Sequence, residues 1–417
     1  MRKLWVWVSV ACSLACQGKS QGNSNPSASA TASGVSTPVS AAVPSKLDSR
    51  GCASALDFLV PPQRYGDSDL VRAIVVGGDQ VYFRNMSDVF KVPVAGGTPS
   101  LHSKGPGLSL SGTTVLWASG DRLLTQSAGE PIFMGAAKSG GEWSNLIDLT
   151  TAKLGGGREA ATRILQGLGG KLAPKASQAD FDGESFYFAE ISTGRGANAP
   201  AMSTLKTVPL RGGEARTLFE VAGEIAEVVR AGDRLAFMHT APPSPEQLAK
   251  QQADRKAKKI TFGARGERWL TSIPVSGGEA KKLMRISNII TGTVLGADGN
   301  NVYASGYADE NPTKPGIYRV DAASGSSERL DQRVLSGEVH VSGEQLIFVG
   351  SGDIEPGKSE HGQLALSAAR GAKSLTRHAC VKDGYTLHAS AVSGKTAFLA
   401  LFKGDTNLAS IARFSLP

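Results

Sequence analysis

Ser393-Gly394-Lys395-Thr396 carries the closing residues of a phosphate-binding loop, in which backbone amides and a lysine surround phosphate oxygens at a helix start. The glycine such a loop needs upstream is Ala389, and a strand-like apolar run follows where a helix should begin. The tetrapeptide therefore reads as a turn. The six histidines (His102, His239, His340, His361, His378 and His388) are scattered, with neither an HxH nor an HExxH spacing, so no metal site and no cofactor is expected. Residues 52–417 contain no Gly-x-Ser-x-Gly elbow for a serine nucleophile. No catalytic residue is assigned.

The chain's charge is more informative. Between Ser244 and Arg285 stand ten basic residues against four acidic ones, which accounts for most of a net charge of +8 over 417 residues. Ser244-Pro245-Glu246 is a helix start, and Glu246 to Lys259 is rich in helix formers, so a short exposed helix is expected. One reading makes this a solvated face that keeps a loop soluble. The sharper reading makes Lys256, Lys258, Lys259 and Arg265 a contact for anionic lipid, phosphorylated glycan or an acidic protein.

These residues must be positioned by a repeated unit. A glycine, two mostly polar residues and an apolar triplet recur seven times: at Gly78, Gly112, Gly183, Gly232, Gly299, Gly343 and Gly394. Each reads as a hairpin turn entering a strand, and three consecutive apolar residues suit a strand buried on both faces. A second element, a strand ending in a Gly-rich turn and a polar strand, follows at Val89 to Gly97, Ile132 to Gly141, Leu205 to Gly213, Leu270 to Gly278, Ile317 to Gly325 and Leu364 to Gly371. Four strands per repeat give an all-β propeller of about seven blades over residues 52–417. The last repeat lacks its outer strand, and Ala53 to Val60 is the segment that fills it and closes the ring.

At the other end of the sequence, Arg2 and Lys3, an apolar run from Leu4 to Ala15 and then Cys16 read as an export signal. The run is too short to stay in a membrane as a spanning helix. Residues 17–51, rich in Ser, Ala, Thr and Pro, form a tether with a root-mean-square reach of about 30 Å. Of four cysteines, Cys12 and Cys16 belong to the export segment, which leaves Cys52 and Cys380; in an exported chain such a pair is expected to be bridged. Ser13-Leu14-Ala15-Cys16 resembles the lipobox of bacterial lipoproteins, which implies lipidation of Cys16, and Gln17 after it implies the outer membrane. Ordinary signal cleavage and plain secretion is the alternative.

The two repeated elements together resemble exported bacterial propellers of the TolB-like kind. That resemblance implies the propeller fold and is poor in function, because such propellers host sensors, scaffolds and enzymes; a monomeric body at the cell envelope, facing periplasm or cell surface, is expected. The extra chain length falls at Ile191 to Ser203, His239 to Arg268, Tyr307 to Pro315, Gly350 to Gly362 and Thr150 to Ser177. In an up-and-down blade all of these links lie at one end, so long loops of repeats two to six are expected to build a ligand face. The expected function is a non-catalytic binding or scaffold module with an unknown envelope protein or anionic glycan or lipid as partner and no nucleic acid. A propeller hydrolase or lyase with a carboxylate cluster at the central channel is the alternative.

Overall fold

The computed structural model describes residues 57–63, 71, 73–85, 88–104, 116–119, 122–126, 132–142, 144–148, 179–181, 185–192, 201–209, 215–257, 266–286, 293–308, 314–356, 361–382, 385–403, 406 and 408–416. The export segment with Cys16, the tether and Cys52 lie outside them. No helix among the described residues is long and apolar enough to cross a membrane.

Most described residues are in strands, and the strands form four-stranded antiparallel sheets whose order follows the chain. Sheet 1 holds β2 (Ala73–Gly77), β3 (Gln80–Arg84), β4 (Asp88–Pro93) and β5 (Ser100–Lys104). Sheet 2 holds β6 (Leu116–Ser119), β7 (Arg122–Gln126), β8 (Ile132–Ala137) and β9 (Ser144–Asp148). Sheet 3 holds β10 (Ala179–Phe181), β11 (Ser185–Ser192), β12 (Met202–Pro209) and β13 (Arg216–Ala222). Sheet 4 holds β14 (Glu224–Ala231), β15 (Arg234–Thr240), β16 (Arg268–Pro274) and β17 (Lys281–Arg285), with the helix α1 (Pro245–Lys256) between its second and third strands. Sheet 5 holds β18 (Thr293–Asp298), β19 (Asn301–Ala308), β20 (Lys314–Asp321) and β21 (Ser327–Asp331). Sheet 6 holds β22 (Leu335–Ser342), β23 (Gln345–Asp353), β24 (His361–Ala369) and β25 (Thr376–Lys382). The last sheet departs from chain order: β26 (Tyr385–Ser393), β27 (Thr396–Lys403) and β28 (Leu408–Ser415) are completed by β1 (Asp57–Gln63), which pairs antiparallel with β28.

The apolar triplets show why these sheets stand face to face. Val81 and Phe83 enter a core shared with the last sheet, while Tyr82 between them enters a core shared with sheet 2. Leu235 and Phe237 pack toward sheet 3, and Ala236 and Met238 toward sheet 5. Leu346 and Phe348 pack toward sheet 5, and Ile347 and Val349 toward the last sheet. A strand that is apolar at every position is thus a strand with a core on each side. The first strands carry the contacts between neighbours: β2 lies against β26 and β6, β14 against β11 and β18, and β22 against β18 and β26.

In the described hairpins between first and second strands the chain turns in two residues, and the leading glycine takes a positive φ, as at Gly232 (61°) and Gly394 (54°). An L side chain rarely adopts that conformation, so glycine is what the tight hairpin requires. Ser393-Gly394-Lys395-Thr396 is such a hairpin. Repeat two needs a correction. Leu116 and Trp117 lie in β6, a first strand, so Gly112 does not open the second strand of that repeat. The second strand is β7, and the sequence ahead of it, Gly120-Asp121-Arg122-Leu123-Leu124, matches Gly232-Asp233-Arg234-Leu235-Ala236. Apolar content in β6 outweighed the better glycine match. Cys380 lies in β25, opposite Leu364, and is fully buried.

Candidate functional site

Strand direction puts the start of every first strand, the end of every second and the start of every third at one end of the sheets. That end also receives the long links. Part of the extra length expected in repeats five and six is strand: Tyr307 pairs with Pro315, and Gly352 with Gly362, which leaves 309–313 and 354–360 as the true connections. The links 149–178 and 193–200 lie outside the described residues.

The link between β15 and β16 is the one whose base is seen in full. Its neck is held by a hydrogen bond from Ala241 N–H to the Glu267 carbonyl at 2.8 Å. A Cβ on Gly266 would stand 2.0 Å from the Ala241 carbonyl oxygen, so the neck closes only with glycine there. Helix α1 then starts in a capping box: the Gln247 N–H donates to Ser244 Oγ at 3.2 Å, and the Ser244 N–H donates to Gln247 Oε1 at 2.8 Å. Pro245 occupies the first helical position, where its missing N–H has no cost. Lys256 is the last residue of α1 and is exposed. Lys258, Lys259 and Arg265 lie outside the described residues.

At the foot of this insertion a row of side chains crosses sheet 4. His239 is opposite Trp269, and Trp269 is opposite Arg285. The indole N–H of Trp269 donates to Glu267 Oε2 at 3.2 Å, and Lys282 Nζ stands 4.9 Å from the ring centroid. Arg285 pairs with Glu267 at 3.3 Å, and both side chains are nearly half exposed, at 44% and 47%. His239 Nε2 is 2.9 Å from the Ala222 carbonyl oxygen, which ties the row to sheet 3.

Most buried polar groups at this end serve the backbone. Ser203 Oγ donates to the Gly223 carbonyl at 2.7 Å and accepts from Ile225 N–H at 3.0 Å, Ser305 Oγ accepts from Leu335 N–H at 2.7 Å, and Gln363 Nε2 donates to the Tyr385 carbonyl at 2.9 Å. Each reaches from one sheet to the opening residues of the next sheet's first strand. Glu227 does the same at the junction of sheets 4 and 5: Oε2 accepts from Val294 N–H at 2.7 Å, and Oε1 accepts from Thr293 Oγ1 at 3.1 Å. It sits in a bulge of β14 with φ at 59°, buried, with Arg268 Nη2 at 3.8 Å.

A second cluster lies between the first strands of sheets 6 and 7. Ser390 Oγ donates to Glu338 Oε2 at 3.0 Å, and His340 Nε2 is 2.8 Å from the same hydroxyl and 3.5 Å from the carboxylate. With the serine proton given to Glu338, His340 donates through Nε2. Burial pushes the His340 pKa below its ordinary value, against the opposing pull of Glu338. Ser390 is buried, whereas the Glu338 side chain is 48% exposed. The cluster is therefore a carboxylate open to water and fixed by a buried hydroxyl.

Two further histidines are engaged in packing. His102 Nε2 is 3.1 Å from the Lys138 carbonyl oxygen, and burial lowers its pKa. His388 packs edge-on against Phe402. Among the described residues no group of three His, Cys, Asp or Glu could hold a metal. Sequence reasoning missed Glu338, His340 and Ser390, and it missed Trp269 and Glu267. The signal for the first three was two polar residues at alternate positions in a strand, Glu338 and His340, where an apolar face would be expected.

No protein-family model matches the chain, and no curated protein matches it in sequence. Solved structures match in shape. An oligogalacturonate lyase from Vibrio parahaemolyticus superposes with a TM-score of 0.51 at 12% identity, over 86% of this chain and 93% of that one. The β-propeller domain of the trilobed protease from Pyrococcus furiosus gives 0.48 at 8% identity, over 83% and 95%. The fold is a β-propeller. A puromycin-hydrolysing peptidase from Mycobacterium tuberculosis gives 0.49 at 12% identity over 86% of this chain, which spans 55% of the peptidase's length. At such identities the likeness concerns the propeller alone. Each sheet described above is thus a blade, and the Glu338 cluster lies between the first strands of two of them.

Proposed function

We propose that the chain is an exported, lipid-anchored propeller of seven blades, its ring closed by β1, which acts as a binding module at the cell envelope. The ligand face is the end that carries the long links. One observation carries this reading: links at the opposite end are only two to six residues long, while the link between β15 and β16 holds a capped helix on a glycine-closed neck. Loops that merely drift in length have no reason to build such a base, nor to gather at one end. Lys256, Lys258, Lys259 and Arg265 supply its charge, and the partner is an anionic glycan, an anionic lipid or an acidic envelope protein. Lipidation at Cys16 holds the body near the membrane through the tether, and a Cys52–Cys380 bridge ties the first strand to the sixth blade. The complete burial of Cys380 and the pairing of β1 with β28 support that bridge. A loop of that span contributes about 5 kcal/mol in the chain-entropy model.

The test replaces residues 243–266 by an Asn-Gly turn. The neck is already closed by Ala241 and Glu267, so the variant is expected to keep its melting temperature and lose partner capture from solubilised envelope, with the loss largest at low salt. Unchanged capture overturns the reading. A second reading, a hydrolase or lyase acting in the channel, is favoured by the half-exposed Glu338 on its Ser390 support, and enzymes of both kinds occur among propellers of this shape. Glu338→Gln separates the two, because it leaves the loop-bearing end intact.

A further inference from the structure

We infer that the foot of the blade-four insertion is a recognition site for an acidic polysaccharide, with Trp269 as its stacking surface and Lys282 and Arg285 as its carboxylate partners. The inference rests on the reading that the loop-bearing end is the ligand face. It adds a chemical class and residues not used there.

Trp269 is the middle member of a row whose members are all fixed. His239 on one side is anchored to the Ala222 carbonyl, and Arg285 on the other is anchored to Glu267. The indole is oriented by its N–H bond to Glu267. Lys282 lies opposite Thr271 on the same face of the blade, which brings its ammonium over the ring. An aromatic ring held at its edge loses little freedom when a flat apolar face is laid on it. The two cations beside it provide charge at a set spacing, and Glu267 offers an acceptor for hydroxyl groups. A ligand that carries flat ring faces, carboxylates and hydroxyls in one repeating unit uses all of these, and a uronate polymer is such a ligand.

Other anionic partners use fewer of them. A lipid surface needs apolar side chains to insert, and α1, the helix nearest to hand, exposes only Leu248 among large apolar residues. An acidic peptide would use Lys282 and Arg285 without requiring the ring. The excess of basic residues from Ser244 to Arg285 supplies the long-range attraction that any of them would feel.

The experiment follows tryptophan emission of the full-length protein, purified in mild detergent, during titration with alginate, with dextran as the neutral glycan and polyglutamate as the acidic peptide. Alginate should change the emission and bind at least about tenfold more tightly than dextran, the factor expected for a lost charge-assisted contact. Trp269→Phe, which keeps a ring for packing, should remove the emission change, and Lys282→Gln or Arg285→Gln should weaken binding by about tenfold. Alginate binding with wild-type affinity in Trp269→Phe and Arg285→Gln overturns the site. So does polyglutamate binding as tightly as alginate, which would mark a polyanion contact without sugar recognition. The deletion of residues 243–266 keeps the two levels apart: if it abolishes envelope capture while the Trp269 and Arg285 variants do nothing, the ligand face stands and the polysaccharide site falls.

Discussion

Two carboxylates on first strands of the propeller meet opposite fates. Glu227, between blades four and five, is buried, and both of its oxygens are taken by the opening residues of the next blade, Thr293 and Val294. Glu338, between blades six and seven, accepts from a single serine and keeps about half of its side chain in water. The difference lies in the backbone. A bulge at Glu227, with its left-handed φ, turns that side chain onto the N–H groups that open the next blade, whereas β22 pairs with β23 without a break and leaves Glu338 with one serine of the next blade and water. Residue type on a first strand therefore does not mark a reactive group; the demand of nearby N–H groups does.

The largest expected effect comes from removing the consumed carboxylate. Glu227→Ala strands Val294 N–H and the adjacent Arg268 and should cost about 2–4 kcal/mol in a urea melt. Glu227→Gly removes the same contacts and relaxes the φ strain, so it should be the milder of the two by about 1 kcal/mol. If both variants are as stable as the parent, the seam is not held by this side chain. Glu338→Ala should change stability by less than about 1 kcal/mol, since its loss exposes a serine to water.

A smaller effect is pH-linked. His340 and His102 have pKa values lowered by burial, so the unfolded chain binds more protons than the folded one as the pH falls through the ordinary histidine range. Stability is then full above about pH 7 and declines below about 6.5, by up to about 1.4 kcal/mol per unit for each such group. His340→Gln should flatten the lower part of that profile without abolishing it, because His102 remains. A melting temperature that is flat from pH 7 to 5 would contradict the burial assigned to both rings.

The smallest effect concerns the ligand end. Ser244→Ala removes one half of the capping box and should cost the helix about 1 kcal/mol. Hydrogen exchange at residues 246–249 should speed up accordingly, while the melting temperature of the whole chain stays put, because α1 carries no part of the blade cores. Global destabilisation by this change would mean that the insertion is a structural member and not a platform.

The propeller was legible because blades repeat: five of the glycine turns recur where the hairpins are, and the triplets mark strands with two buried faces. Repeat two misled because an apolar first strand, Leu116 and Trp117, imitated the second-strand triplet. Helix α1 was legible from Ser244-Pro245-Glu246 and the helix formers that follow, since caps and propensity are local chemistry. The Trp269 row was not, because His239, Trp269 and Arg285 become neighbours only through strand register. The bulge at Glu227 leaves no trace in composition, and the pairing of Ser390 with Glu338 and His340 depends on how two blades face each other.

Arg413 in β28 donates through Nε to Asp57 Oδ2 at 2.7 Å, across 356 residues, and through Nη1 to the Ala95 carbonyl of blade one at 3.2 Å. One blade is therefore assembled from the first and last of the described strands, and β1 must wait for β28 to be made before it can pair. Until then β1 has no partner, and an unpaired strand invites other chains. Its sequence, Asp57-Phe-Leu-Val-Pro-Pro-Gln63, contains Pro61 and Pro62, which lack N–H donors. The waiting strand thus offers a poor template for the wrong neighbour, and once seated on β28 it presents the same broken row of donors on its outer edge.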